Sequence, residues 1–486
     1  MCTGWPASGR PRRAATRAPA TSSSSCLPCS APCARRTPRR GDAGLTSSVG
    51  RRIPPRDRVR DCTARRGDHG RRTARCEGWP PLSAPADTIG AVVTDEYGRG
   101  PVPHAQVRVD LAAIRDNVAE LSVRVGRAEV MMVVKADAYG HGLVPAARAA
   151  QAGGATWLGT AVLAEALTLR AAGVTGRLMA WLSSPGERWA DALAADVDVS
   201  ASAPWAVAEI AAAARDTGRV ARLHLKVDTG LGRSGVPVSG WPELVDTALK
   251  AQAEGLVEVV GLWSHLACAD EPEHPANDSQ LAVFLEAVAQ ARRHGARPEV
   301  VHLANSAATL TMPDSHLDLV RVGLAAYGLS PMPAVVSPAD VGLRPAMSVR
   351  ARLALVKRVP AGHGVSYGHL YVTDRESTLG LVPLGYADGV PRHGSGGSAG
   401  PGAPVLVAGV TRRIAGRVCM DQFVVDLRDD DVSAGDEVVL FGDPAAGEPS
   451  AQDWAEACGT ISYEIVTRFA PRLPRVYVDA ALAEPR

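Results

Sequence analysis

From about Val107 onward the chain alternates between two patterns. Short, almost uninterrupted apolar runs give way to Ala-rich stretches with Leu at helical spacing. VRVDL leads into AAIRDNVAELSVRV, EVMMVV into HGLVPAARAAQAG, and ATWLGTAV into LAEALTLRAAG. RLMAWL, DVDVSA, ARLHLKVD, VEVVGLWSHL and EVVHLAN continue the series, and LDLVRVGL closes it. Runs apolar on both faces are strands of a parallel sheet covered by helices. About eight such units over roughly 240 residues predict a (β/α)8 TIM barrel.

After residue 342 the texture changes. MSVRARLALVKRV, ESTLGLVPLGYA, APVLVAGVTRRIAGRV, QFVVDL and DEVVLFG are strand-like and joined by Gly, Pro and Asp turns. Helical spacing returns only in DWAEACGTISYEIVTRF. The expected organisation is therefore an α/β chain, with a barrel over 103–342 followed by a mostly antiparallel β domain over 343–486.

Residues 1–102 have neither period and are rich in Arg, Pro, Ser and Gly, the composition of a segment without a packed core. Three readings stay open for this tail: a disordered segment, a targeting peptide, or a true translation start further along. The spacing of Cys26, Cys29 and Cys33 is compatible with metal ligands but lacks a matched second half, so no metal is expected.

Charge sharpens the division. The formal charge is +2, yet the first 80 residues hold 18 Arg against five acidic residues, which leaves the rest of the chain acidic. An acidic body lacks the basic face of a nucleic-acid binder. No stretch reaches the ~18–20 apolar residues of a membrane-spanning helix, so no membrane partner is expected. Cys268, Cys419 and Cys458 are the only cysteines beyond the tail. Three widely spaced thiols suit a reduced, cytoplasmic protein better than a disulfide framework.

Lysine is scarce: the whole chain has Lys135, Lys226, Lys250 and Lys357. Arg does surface work as well as Lys, but it cannot become a neutral nucleophilic amine, whereas a desolvated Lys can. Lys135 follows the EVMMVV strand, and barrel active sites lie at the C-terminal strand ends. On the residues alone it is either a catalytic amine at the barrel mouth or a lysine reaching from a strand end to water.

VVKADAYGHG resembles the pyridoxal 5'-phosphate (PLP) attachment motif of the bacterial alanine racemases. LKVDTGLGRSG, WSHLACAD, HLANSAA, VRVGLAAYGL, VSYGHLY, PLGYADG, GRVCMDQ and TISYE resemble further motifs of that family, in the family's order, and together they span about 103–486. The resemblance implies a fold type III enzyme, an isomerase that interconverts L- and D-alanine and supplies D-alanine for cell-wall peptidoglycan. It implies that Lys135 holds PLP and serves as one base, and that Tyr367, contributed by the other subunit of a homodimer, serves as the second. Two bases on opposite faces are what inversion at a carbon requires, and each needs a pKa near the working pH.

The remaining roles come from the same resemblance. His265 would hydrogen-bond Tyr367, and Arg321 would face the pyridine nitrogen. Tyr139, Ser306, Gly323, Leu324 and Tyr463 would hold the phosphate. Arg233 and the backbone of Met420 would meet the substrate carboxylate, and Tyr386 would line the entry. Lys226 would orient Arg233 as a carbamate, or else be an unmodified, partly exposed lysine. A non-catalytic PLP-binding barrel and a racemase of broad specificity are the alternatives. The former lacks a C-terminal β domain. A PLP decarboxylase is disfavoured because it usually wants an acidic residue where Arg321 stands.

Overall fold

The computed structural model describes residues 103–484 apart from residue 470; the Cys26, Cys29 and Cys33 cluster lies outside the described residues. The strands are β1 (Ala105–Asp110), β2 (Glu129–Val133), β3 (Trp157–Val162), β4 (Arg177–Leu182), β5 (Asp198–Ala201), β6 (Ala221–Asp228), β7 (Val236–Pro237), β8 (Val257–Trp263), β9 (Val300–His302) and β10 (Leu319–Val322). Then follow β11 (Met347–Arg352), β12 (Leu355–Val359), β13 (Gly364–Val365), β14 (Tyr371–Val372), β15 (Ser377–Val382), β16 (Pro404–Val407), β17 (Val410–Arg413), β18 (Phe423–Arg428), β19 (Glu437–Phe441) and β20 (Arg475–Val478).

The expected barrel is present. Eight parallel strands run in the order β10-β2-β3-β4-β5-β6-β8-β9. Backbone hydrogen bonds from Asp318 N to Val301 O (3.1 Å) and from Arg321 N to Ala304 O (3.0 Å) tie the last strand back to β9. Side chains alternate between the two faces, as strand geometry requires. Met131, Trp157, Met179, Trp263, Val300 and Leu319 point inward and form a cluster of their own. Val130, Met132, Leu158 and Leu178 point outward into the larger core beneath the helices. The barrel is thus a packed interior with no pore.

One strand departs from the sequence expectation. The sequence pattern places VRVDL first in the barrel series, yet β1 pairs antiparallel with β11 and parallel with β20. It belongs to a six-stranded sheet ordered β17-β16-β19-β11-β1-β20. A second sheet, β12-β15-β18, and the β13-β14 hairpin complete the β-rich part. The C-terminal helical pattern is also two helices, Ala451–Cys458 and Ser462–Thr467. Gly459 separates them in a left-handed conformation, φ 66°, which ends the first helix.

The helix Leu111–Val125 starts on Asp110, whose side chain accepts from Ala113 N at 2.9 Å. That cap satisfies one of the free N–H groups of the first turn. It also joins β1 to the first barrel helix without a loop. Among the described residues no helix is long and apolar enough to cross a membrane.

Candidate active site

Lys135 follows β2 and begins an unusual turn. Ala136, Asp137, Ala138 and Tyr139 all have φ near +54°. This is one turn of left-handed helix made without glycine, a conformation that costs roughly 1–2 kcal/mol per L-residue. Its neighbours hold it. Ala136 N donates to Glu165 Oε1 at 2.6 Å, and Asp137 accepts from Leu143 N at 2.8 Å. From the C-terminal part, Arg475 pairs with Asp137 at 2.9 Å and donates to Gly140 O at 2.9 Å. A Cβ on Gly140 would fall 2.4 Å from Val466 O, so the turn fits closely against the helix Ser462–Thr467. The strain at this site is sustained by contacts from two directions.

Lys135 opens into a cavity of about 590 Å3 that is also lined by Lys226, Arg233, His265, Arg321 and Tyr463. Lys226 and Arg233 come from the C-terminal end of β6, His265 from that of β8 and Arg321 from that of β10, the usual place for a barrel's chemistry, while Tyr463 reaches in from the helix Ser462–Thr467. Burial first, then the nearby Arg233 guanidinium, lowers the Lys135 pKa from the ordinary lysine range. The neutral, nucleophilic amine is favoured accordingly.

Beside the lysine the same cavity gathers Ser306, Gly323, Tyr139 and Tyr463. Ser306 Oγ accepts from Gly323 N at 2.8 Å. The Tyr139 ring lies 5.0 Å from that of Tyr327 and 6.2 Å from that of Tyr463. Gly323 has no room for a side chain, because a Cβ would meet the Tyr139 hydroxyl at 2.3 Å. Ser306 and the Gly323 N–H follow the late strands β9 and β10, where TIM barrels commonly take phosphate, and the Tyr139 and Tyr463 rings border them. Leu324 lines the same cavity.

Arg321 is buried, and among the described residues no carboxylate pairs with it. Its donors go instead to Ser264 O (2.8 Å), Leu303 O (3.0 Å), His302 Nδ1 (3.1 Å) and His265 Nδ1 (3.2 Å). Burial pushes its pKa down to about 9, still above neutrality, so the guanidinium stays charged. A guanidinium only donates, so His265 Nδ1 accepts and its N–H sits on Nε2. Burial, then Arg321, lowers the His265 pKa well below its ordinary value, which keeps the ring neutral.

Lys226 is 4% exposed. It donates to Ser234 Oγ at 2.5 Å and lies 4.2 Å from the Trp263 ring centre. Burial, Arg321 and Arg233 bring its pKa down to about 7. Arg233 is itself exposed at the cavity edge.

Three expected site residues are not in this cavity. Tyr367, Met420 and Tyr386 are 71%, 53% and 42% exposed. They sit together on the β-rich part, where Tyr386 N donates to Cys419 O at 3.0 Å and Ala387 N to Met420 O at 2.9 Å. Tyr367 borders a separate surface groove with Ser366 and Cys419.

Sequence reasoning passed over Asp198, His224 and His302, which lie buried inside the barrel beneath Arg321. The available signal was a polar side chain in the middle of an otherwise apolar strand, as with His224 between Leu223 and Leu225.

Two family models cover nearly all of the described chain. Residues 109–331 match the alanine racemase N-terminal domain and 346–477 the alanine racemase C-terminal domain. The chain belongs to the alanine racemase family. An alanine racemase of Frankia casuarinae is 59% identical over 370 residues, 76% of this chain and 95% of the relative. One from Streptomyces coelicolor is 59% identical over 383 residues, 78% and 97% of the two chains. Among solved structures, the alanine racemase of a D-cycloserine-producing Streptomyces lavendulae superimposes with a TM-score of 0.76 at 58% identity, covering 78% of this chain and 98% of that one. The Bacillus anthracis alanine racemase with bound L-Ala-P gives 0.70 at 36% identity, over 78% and 96%. Membership in the family accounts for the barrel and for the β-rich second part.

Proposed function

We propose that this chain racemises alanine with PLP held on Lys135. The observation that carries the reading is one cavity in which a partly desolvated lysine, a group of hydroxyl and N–H donors and a buried cation without a carboxylate occur together. The residues fit the cofactor: Ser306, Gly323 N–H, Leu324, Tyr139 and Tyr463 suit a phosphate, and the bare Cα of Gly323 leaves the space. When bound, PLP supplies an aldehyde that captures an amine and a ring that withdraws electron density from the substrate Cα.

Lys135 then stands on one face of Cα and the partner subunit's Tyr367 on the other. One takes the α-proton from its own face while the other delivers the proton it holds to the opposite face, and the roles exchange with the enantiomer. A tyrosine ordinarily titrates near ~10, so it needs help to act as a base. The Nε2–H of His265 is free to donate to its oxygen. Arg321 offers a hydrogen bond but no proton, since it is charged throughout the neutral range. A pyridine nitrogen held against Arg321 would stay unprotonated, which would keep electron withdrawal modest and tie the two bases closely together. Arg233 and the N–H of the partner subunit's Met420 bind the substrate carboxylate, and the partner subunit's Tyr386 narrows the approach. Lys226, close to Arg233 and with a pKa of about 7, has a neutral amine that can attack carbon dioxide and release a proton. As a carbamate it orients Arg233.

Tyr367, Met420 and Tyr386 are exposed and stand apart from the Lys135 cavity, which favours a head-to-tail homodimer with shared sites. Sparse, widely spaced thiols favour work in the cytoplasm, with the D-alanine passing to cell-wall peptidoglycan. The test is a panel of L-amino acids given to the PLP-loaded protein and resolved by chiral chromatography. L-alanine should be converted to an equal mixture of enantiomers, faster than serine or lysine. Faster turnover of serine, or no turnover of alanine, overturns the assignment.

A further inference from the structure

A line of hydrogen bonds crosses the barrel interior from its floor to Arg321. Arg321 meets His302 Nδ1 at 3.1 Å, His302 Nε2 meets His224 Nδ1 at 3.1 Å, and His224 Nε2 meets Asp198 Oδ2 at 3.2 Å. Both imidazoles are fully buried, and Asp198 is 3% exposed. Asp198 opens β5 at the N-terminal end of the barrel, whereas Arg321 sits near the C-terminal end of β10.

We infer that Asp198 and His224 are positioning residues for Arg321. They lock the tautomers of both histidines into a chain directed from cation to carboxylate, which supplies the negative charge that Arg321 lacks beside it. The inference rests on the reading of Arg321 as the residue that faces the cofactor ring.

Donor and acceptor capacity allow a single assignment. Arg321 only donates, so His302 Nδ1 accepts. His302 then carries its proton on Nε2 and donates it to His224 Nδ1. His224 in turn carries its proton on Nε2 and donates to Asp198, which only accepts. A second proton on His302 would set an N–H against the Arg321 donors. A second proton on His224 would drive His302 into the opposite tautomer, with the same clash. Burial of His302 beside Arg321 opposes its protonation as well. Every link is thus polarised in one sense, and such chains strengthen in a low-dielectric interior.

The barrel is built around this line. His224 pairs in register with Gly261 on β8, at the point where the ladder shifts. A Cβ on Gly261 would fall 1.9 Å from His224 Nδ1, so glycine is what leaves room for the ring. Trp157 meets His224 edge-on, with ring centres 5.6 Å apart. Trp263 lies parallel to His302 within 3°, also at 5.6 Å. At the floor, the other Asp198 oxygen accepts from Arg222 Nε at 3.0 Å. Arg222 also pairs with Glu299 at 2.9 Å, and Glu299 pairs with Arg177. These pairs fix the carboxylate in place at the far end of the line.

Neutron diffraction from a deuterated crystal of the PLP-loaded protein reads the two imidazole protons directly. His224 and His302 should each carry a single deuteron, on Nε2. A deuteron on Nδ1 of either ring, or two on one ring, overturns the inference. The functional arm is Asp198→Asn, which removes the charge and keeps the shape. Outer partners that orient a site residue typically contribute about 10- to 100-fold. The variant should lose kcat in that range while KM for alanine moves less than about threefold. A folded variant with unchanged kcat refutes the positioning role. If the variant does not fold, the deuteron positions decide alone. If the unsubstituted protein turns over no alanine, the functional reading fails while the deuteron positions still judge the directed chain.

Discussion

The Cα of Gly323 lies so close to Tyr139 that a methyl group on it would come within 2.3 Å of the phenolic oxygen. The same glycine gives its N–H to Ser306 at 2.8 Å. Gly323→Ala should therefore displace Tyr139 and leave the barrel intact. Titration of the apoprotein with PLP, followed by absorbance, should show affinity weakened about tenfold or more, equivalent to ~1.4 kcal/mol. Unchanged affinity would remove Gly323 and Tyr139 from the phosphate account.

The exposed position of Tyr367 leads to a mixing experiment. Lys135→Ala and Tyr367→Phe homodimers should each be nearly inactive, the second still binding the cofactor. After dissociation and reassociation together, half the dimers are mixed and each of these has one intact site. About a quarter of full activity should return if sites are shared across a two-fold interface. No recovery from a mixture shown to contain the hybrid dimer means that each subunit works alone.

Acid should loosen the fold through its neutral buried histidines. His141 is fully buried, stacked on Tyr327 with ring centres 4.3 Å apart, and burial pulls its pKa down to about 4. The folded-state pKa lies below the unfolded value near ~6.5. The stability it contributes is complete above pH ~6.5 and is lost as pH falls toward about 4, because the unfolded chain binds the proton first. His265 and His302 are shifted in the same direction. Urea unfolding at pH 7.5 and pH 5 should show a clear loss at the lower pH. In His141→Gln the loss should shrink by about 2 kcal/mol. An identical pH dependence in the variant would show that His141 does not titrate as its burial demands.

The barrel and the Lys135 site were legible because they rest on strong periodic signals and on residue types with few other uses. The strand β1 was not placed correctly, although its pattern held the clue. Its residues alternate between buried and partly exposed, which suits a strand with one covered face. The true barrel strands β5 and β10 are buried throughout. The left-handed turn at Ala136–Tyr139 has almost no signature, since of Ala, Asp, Ala and Tyr only Asp tolerates positive φ. It is imposed by Arg475 and Val466, more than 300 residues away in the chain. The line from Asp198 to Arg321 was missed for a related reason: its members come from four strands, and only closure of the barrel brings them into contact.

The claim on which the account turns is that Lys135 carries the cofactor. The PLP-loaded protein should be reduced with borohydride, digested, and the tagged peptide located by mass spectrometry. The account predicts a single reduced pyridoxyl group on the amine of Lys135. A tag on Lys226, on Lys250 or on no lysine at all would contradict it.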